Sequence, residues 1–234
     1  MTRRNEVPRT RVQRRHLATV EEVKEIARER LVREGAATLS LRAIARDMGV
    51  VPSALYRYFP SHAHLLEALA DDAATSMLEH VRMAGAVLPS TDHRGRWVAQ
   101  LRAYRAWVMS HVPGYTLNFG PAPERHTEHP PDDVVRRIVA QLARTLQDAD
   151  ADGTLDLLNH PISEVVGVTL EVPAMHDTDI DPKIFSIALA AWTAIHGIVA
   201  LEATGRLPLT DKAADDYFEA QLAGLTLALG FDDQ

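Results

Sequence analysis

The chain has 234 residues, of which 46% are hydrophobic and 24% are charged, so it can bury a core and wholesale disorder is excluded. It has no cysteine, which excludes disulfides, thiolate metal sites and a thiol redox switch. The net charge of −7 is unevenly distributed: residues 1–60 carry 13 basic and 7 acidic side chains, and residues 61–234 carry 12 and 25. This asymmetry favours contact between the N-terminal part and a polyanion.

No apolar run reaches the roughly 18 residues needed to cross a bilayer. The basic N-terminus lacks the apolar stretch that follows it in a signal peptide. We therefore expect a cytoplasmic protein with no membrane partner.

The chain begins with an arginine-rich segment, residues 1–16, which predicts a flexible basic arm. A first helix is predicted from about 18 to 35, where Gly35 is a typical stop. The apolar residues of its core-facing side recur at helical spacing: Val20, Val23, Ala27 and Leu31.

Residues 40–59 predict two short helices joined by a tight turn. Ser40 can cap the first helix, and Ala45 is small where the two backbones approach. Gly49, four residues later, tolerates a positive φ in the turn. The second helix is predicted over Ser53–Tyr58. The apolar residues that would lock the pair are Leu41, Ile44, Met48, Val50 and Leu55.

The rest of the chain predicts further helices and no strand. Ser61 can cap a helix over about 62–84, and others follow over about 94–112 and 132–148, with a proline-rich loop at 120–131 between them. A helical stretch is predicted to about Leu170. Two long helices close the chain, over about 182–203 after Asp181 and over about 210–229, and Gly205 ends the first of them. We therefore predict an all-α fold.

The N-terminal pattern resembles the DNA-binding domain of TetR-like (TetR/AcrR) regulators. The matching residues are Gly35, Thr38, Leu41, Ile44, Ala45, Gly49, Val50, Leu55, Tyr56, Tyr58, Phe59, Leu65 and Leu66. A shorter match, Trp192, His196 and Gly197, resembles the tryptophan-histidine-glycine signature of one subset of these proteins.

This resemblance implies a homodimer whose partners are a double-stranded DNA operator and a small-molecule effector. It also implies a three-helix helix-turn-helix domain at 17–62, after the arm at 1–16, and a larger helical ligand-binding and dimerisation domain at 63–234. One position departs from the family, because His62 stands where a phosphate-binding lysine is usual.

The predicted second helix would lie in the major groove, with its first residues at the base edges. The residues assigned to bases are Val51, Pro52, Ser53, Ala54 and Arg57. The residues assigned to phosphates are Ser40, Arg42, Tyr56, Tyr58 and His62. The alternative is an ordinary helical hairpin in which Tyr56 and Tyr58 are core residues. For Arg42 and Arg46 the alternative is a solvated helix face.

Each of the last two helices has apolar residues on more than one face, and both faces must be buried. We expect one of these faces to pack against the same helices of a partner in a four-helix bundle. The alternative is burial of both faces within one subunit. The residues assigned to dimerisation are Ile184, Ile187, Ala191, Ile198, Phe218, Leu222, Leu225 and Leu229.

Aromatic and histidine side chains of the larger domain suggest a pocket for an apolar or aromatic ligand. The candidates are Trp97, Tyr104, Trp107, His111, Tyr115, Phe119, Met175, Trp192 and His196. His126, His129 and His176 lack the spacing of a metal site, and no catalytic or nucleotide-binding motif is present, so we expect no metal, cofactor or enzymatic activity.

These patterns together predict a sequence-specific transcriptional regulator, with a repressor released by its ligand as the leading form. An activator or architectural protein could share the same DNA-binding head. A third possibility is a ligand-binding or hydrolytic helical protein that its basic head tethers to DNA without sequence preference.

Overall fold

A computed structural model describes residues 10–120, 132–157 and 179–231. Within these residues the chain forms nine α-helices and one short 3-10 turn, Ala36–Thr38, and no strand, which confirms the predicted all-α fold. The helices are α1 Arg11–Glu34, α2 Leu41–Asp47, α3 Pro52–Leu55, α4 His62–Ala86, α5 His93–Ser110, α6 Val112–Phe119, α7 Asp132–Ala151, α8 Pro182–Ala203 and α9 Asp211–Ala228.

Helix α1 begins earlier than predicted, at Arg11, so the expected flexible arm is wrong for residues 11–16. The cause is a capping box: the Thr10 hydroxyl accepts a hydrogen bond from the Gln13 amide, and the Gln13 side chain accepts one from the Thr10 amide. The other arm residues, 1–9, lie outside the described part of the chain. A Thr-x-x-Gln pattern in the sequence could have revealed this start.

Helix α6 is an element that the sequence reading missed. The helix predicted over about 94–112 ends at Ser110 as α5, and Pro113 lies in the first turn of α6, where its missing amide hydrogen is not needed. Residues 121–131 of the loop predicted at 120–131, and the helical stretch before Leu170, lie outside the described residues.

The two C-terminal helices begin as predicted. Asp181 caps α8 with Pro182 in the first turn, and Thr210 caps α9. Gly205 has a φ of 65° just after α8.

Helix α8 is also long and apolar enough to cross a membrane by length and composition, so the expectation that no segment reaches this length was wrong. Half of its most apolar stretch is buried, and the helix packs against α5, α7 and α9. This packing identifies α8 as a core helix.

The chain divides into two compact units. The first comprises Met1–Ala73 with Pro113–His126, and the second comprises Ala74–Val112 with Thr127–Gln234. The division therefore falls inside α4 rather than at residue 63, and α6 belongs to the first unit.

The core of the first unit is formed by α1–α4 and one residue of α6, Leu117. Its buried side chains include Val23, Ala27, Leu31, Leu41, Ile44, Leu55, Phe59, Leu65 and Leu69. The amide of Asn118, also in α6, donates a hydrogen bond of 3.0 Å to the carbonyl of Ala70 in α4.

The second unit has α5, α7, α8 and α9 packed around large buried side chains such as Trp97, Tyr104, Leu142 and Phe218. Arg105 connects α5 to both C-terminal helices. Its Nε donates a hydrogen bond of 2.8 Å to Glu202 of α8, and its guanidinium lies 4.7 Å from the centre of the Phe218 ring of α9.

Candidate nucleic-acid interface

Helices α2 and α3 are held in a helix-turn-helix by the turn between them. The Ser40 hydroxyl accepts a hydrogen bond from the Ala43 amide and caps α2, as predicted. Ala45 is fully buried, and its carbonyl accepts a hydrogen bond of 2.9 Å from the Val50 amide. Gly49 has a φ of 67°, and a Cβ atom there would contact nothing within 4 Å. Backbone conformation, not crowding, therefore favours glycine in this turn.

Helix α3 is shorter than the predicted Ser53–Tyr58, because the helix ends at Leu55 and residues 56–58 form turns. Leu55 and Phe59 anchor it in the core at 1% and 5% exposure. Its other side faces solvent, where Val51 and Tyr56 are 67% and 44% exposed.

The residues assigned to DNA contact differ in their availability. Those that are exposed are Arg42, Val51, Pro52, Ser53, Tyr56 and Arg57, and those that are half-buried are Ser40, Ala54, Tyr58 and His62. The alternative that made Tyr56 a core residue is therefore wrong.

Tyr58 has a structural contact that the sequence reading did not anticipate. It packs against the core of the first unit, and its ring centre lies 4.8 Å from that of His16 in α1. The Arg57 guanidinium lies 6.0 Å from the same ring. Tyr58 thus joins the end of the helix-turn-helix to the N-terminal part of α1.

His62 offers a poorer phosphate contact than expected. Its Nε2 atom is buried and has no hydrogen-bond partner among the described residues. Ser61 caps α4, because its hydroxyl accepts a hydrogen bond of 3.3 Å from the His64 amide.

An ion-pair cluster fixes α2 against α1. The Arg30 guanidinium donates from Nε and Nη2 to the two Asp47 oxygens at 2.7 and 3.1 Å, and from Nη1 to Glu34 at 2.8 Å. These hydrogen bonds lower the pKa of the Asp47 carboxyl. Asp47 is the last residue of α2, where a negative charge opposes the helix dipole unless a cation neutralises it.

A second cluster joins α1 to α4. Lys24 and Arg28 donate to the two oxygens of Asp72 at 3.0 and 2.9 Å. Both clusters were missed, because Asp47 and Asp72 are far in sequence from the basic residues that they bind.

Three ligand candidates meet in the second unit and form the Tyr104–Trp192–His196 cluster. The Tyr104 hydroxyl is hydrogen-bonded to His196 Nδ1 at 2.6 Å, and the Trp192 and His196 rings stack with centres 4.5 Å apart. Tyr104 and Trp192 are buried, and burial lowers the pKa of His196. A neutral imidazole is thus favoured there near neutral pH.

The other ligand candidates lie elsewhere. Trp107 stacks on His111 at 4.8 Å and donates to the Ser76 hydroxyl, and Trp97 is fully buried. Tyr115 and Phe119 stack on each other in α6 of the first unit. Met175 lies outside the described residues, as do His126, His129 and His176.

The assignment of dimerisation residues needs correction. Six of the eight are buried within the single chain at 1% or 2% exposure: Ile184, Ile187, Ala191, Phe218, Leu222 and Leu229. The other two, Ile198 and Leu225, are half-buried. The reason is that α8 packs on α5, α7 and α9 of its own chain, so most of the assigned residues face the subunit's own core.

The exposed sides of the last two helices carry small and apolar residues instead. On α8 these are Ala194, Gly197 and Leu201, and on α9 they are Tyr217, Ala220, Gly224 and Leu227. We call these residues the small-residue faces. They recur at intervals of three and four, so each set lies along one side of its helix.

Comparison with known proteins gives matches in both halves of the chain. Residues 25–69 match the family described as bacterial regulatory proteins, tetR family, and residues 97–225 match the tetracyclin repressor-like C-terminal domain. HTH-type transcriptional regulators of Mycobacterium tuberculosis and Mycobacterium bovis are 31% identical over 219 residues, which cover 88% of this chain and 89% of each relative.

Two solved structures show the same architecture. A protein designated a regulatory protein, SCO4313, is 30% identical with a TM-score of 0.69, and the match covers 94% of this chain and 98% of that one. A TetR/AcrR family regulator from Thermobifida fusca is 21% identical with a TM-score of 0.60, and the match covers 89% and 97%.

Proposed function

The chain belongs to the TetR family of DNA-binding transcriptional regulators, and from that premise we propose that it is a homodimeric, cytoplasmic repressor released from its operator by a small apolar or aromatic ligand. The observation that carries this proposal is the solvent-exposed side of α3, held in a helix-turn-helix by Ala45 and Gly49.

The residues assigned to DNA divide by chemistry into two kinds of contact. Val51, Pro52, Ser53 and Ala54 would meet base edges in the major groove, with Arg57 reading a guanine. Arg42 and Tyr56 would bind phosphates and set the register. Three assigned residues are weaker candidates. The Ser40 hydroxyl already caps α2, the Tyr58 ring contacts His16, and His62 Nε2 is buried.

Dimerisation would use the small-residue faces in place of the residues first assigned. Gly197 and Gly224 lie within helices and are exposed, and an added Cβ would meet nothing within 4 Å at either position. A glycine inside a helix costs about 1 kcal/mol relative to alanine. Close approach of a partner helix would explain why both positions keep it.

The ligand would bind near the Tyr104–Trp192–His196 cluster. Its rings supply apolar surface, and the hydrogen-bonded Tyr104 and His196 supply polar groups that orient a ligand. Such a ligand releases DNA only if it binds more tightly to the form that does not bind the operator.

The test compares Arg57→Ala with Arg33→Ala, an exposed arginine in the last turn of α1 that is not among the residues assigned to DNA. Fluorescence anisotropy would use the shortest duplex that the wild-type protein selects from a random-sequence pool. We expect Arg57→Ala to weaken binding by about 1–3 kcal/mol and to relax preference at one base pair, with no change for Arg33→Ala.

Selection of no sequence by the wild type, with salt-sensitive binding to every duplex, would support a non-specific tether instead. A compound that raises the unfolding temperature and also displaces the selected duplex would support ligand-released repression.

A further inference from the structure

The exposed N-terminal turns of α1 carry three arginines, Arg11, Arg14 and Arg15, which we call the basic turn. We propose that the basic turn binds DNA phosphates beside the half-site that α3 reads, and that the contact between His16 and Tyr58 sets its position. This inference rests on the proposed DNA binding and adds a positioned helical element to it.

The basic turn belongs to a part of α1 that overhangs the core. Residues 11–18 are all exposed, and the first buried residue of the helix is Val23. An exposed helix end normally frays, but the capping box of Thr10 and Gln13 fixes this one. These two helical turns therefore bury none of their side chains in the core of the first unit.

The cations of the basic turn are also unlike those of the rest of α1. Arg28, Arg30 and Arg33 each pair with a carboxylate. Within the part of the chain that the structure describes, no carboxylate pairs with the basic turn, and the sequence has no acidic residue between Glu6 and Glu21. Among the described residues, the arginines of α1 that lack a carboxylate partner are thus concentrated at this one end of the helix.

His16 places the overhang beside the helix-turn-helix. It continues the core-facing stripe of Val20, Val23 and Ala27 at intervals of four, three and four, and it meets the Tyr58 ring at 4.8 Å. Residues 11, 14 and 15 share one side of a helix, and His16 lies outside that side. His16 can therefore rest on Tyr58 while all three arginines remain free to meet a ligand.

Duplex DNA is the ligand that fits this surface. The contact with Tyr58 places the overhang next to Arg57, so a duplex held by α3 passes near it. Arginine binds phosphate without reading sequence, and a helix already fixed in place loses less entropy on binding than a flexible arm.

The first test is the triple variant R11Q/R14Q/R15Q against the matched triple variant R33Q/R82Q/R206Q, which removes the same charge from other exposed positions. The probe is the duplex selected by the wild-type protein, with flanking base pairs on both sides. We expect the first variant to raise Kd roughly tenfold or more at about 0.1 M salt. The slope of log K against log salt should fall by about 0.9 for each phosphate that the variant no longer binds, with base preference unchanged.

The second test separates positioning by His16 from a purely structural role. H16F keeps a ring against Tyr58 and should retain the wild-type salt slope, whereas H16A should reduce that slope. Circular dichroism should show the same helix content in all variants, because every substituted arginine is exposed.

The inference is overturned if R11Q/R14Q/R15Q matches its control variant in both Kd and salt slope while R57A still weakens binding. That result would leave the proposed function intact. A wild-type protein that selects no sequence would instead overturn the proposed function itself.

Discussion

Gly224→Ala should have opposite effects on the single subunit and on the dimer. In the subunit, a Cβ at this exposed position in α9 contacts nothing within 4 Å, so no clash offsets the gain in helix propensity. That gain is about 1 kcal/mol, which corresponds to roughly 2–4 °C in unfolding temperature for a chain of this length. The subunit alone should therefore be more stable.

In the dimer, the same Cβ would enter a close contact between the small-residue faces. Overpacking at a tight contact costs about 1–3 kcal/mol, and each 1.4 kcal/mol raises the dissociation constant about tenfold. We therefore expect a dimer dissociation constant at least several-fold higher, measured by sedimentation equilibrium across a dilution series. Gly197→Ala on α8 should behave in the same way.

Thr75→Ala is the matched control, because Thr75 is exposed within α4 and lies outside the small-residue faces. It should raise the unfolding temperature slightly through helix propensity and leave dissociation unchanged. If Gly224→Ala stabilises the protein at every concentration and dissociation stays at the wild-type value, the small-residue faces are not the dimer contact.

Two further substitutions test the DNA-binding head. Gly49→Ala should destabilise the first unit by about 1–2 kcal/mol and weaken operator binding, because alanine is strained at a φ of 67°. Urea unfolding measures the loss of stability, and fluorescence anisotropy measures the loss of binding. An unchanged unfolding midpoint would contradict the role of this turn. Asp47→Asn removes a carboxyl whose pKa is lowered by Arg30. The stabilisation that this ion pair gives to the folded protein is therefore complete above the ordinary Asp pKa of about 3.9. It is lost as pH falls through the lower pKa that Asp47 has in the folded protein. The stability difference between wild type and Asp47→Asn should thus be constant near pH 7 and shrink below about pH 4 in thermal unfolding, and a difference that persists in acid would contradict the ion pair.

Much of the helix-turn-helix and several helix starts could be predicted, because the sequence features that specify them are local. Ala45 and Gly49 lie four residues apart in one turn, and Ser40, Ser61 and Asp181 cap helices that start beside them. Each of these features depends on a few neighbouring residues, so each can be recognised from the amino-acid sequence alone. The capping box at Thr10 was equally local, and overlooking it made the basic arm too long.

Contacts between distant residues required the folded chain. Arg30 with Asp47 and His16 with Tyr58 are pairs that spacing along the chain does not predict. Likewise, periodicity showed that α8 has two apolar stripes but not which neighbours cover them. Burial depends on every helix packed around a residue, so only the tertiary structure showed that Ile184 and Ile187 face the subunit's own core and that the small-residue faces remain open.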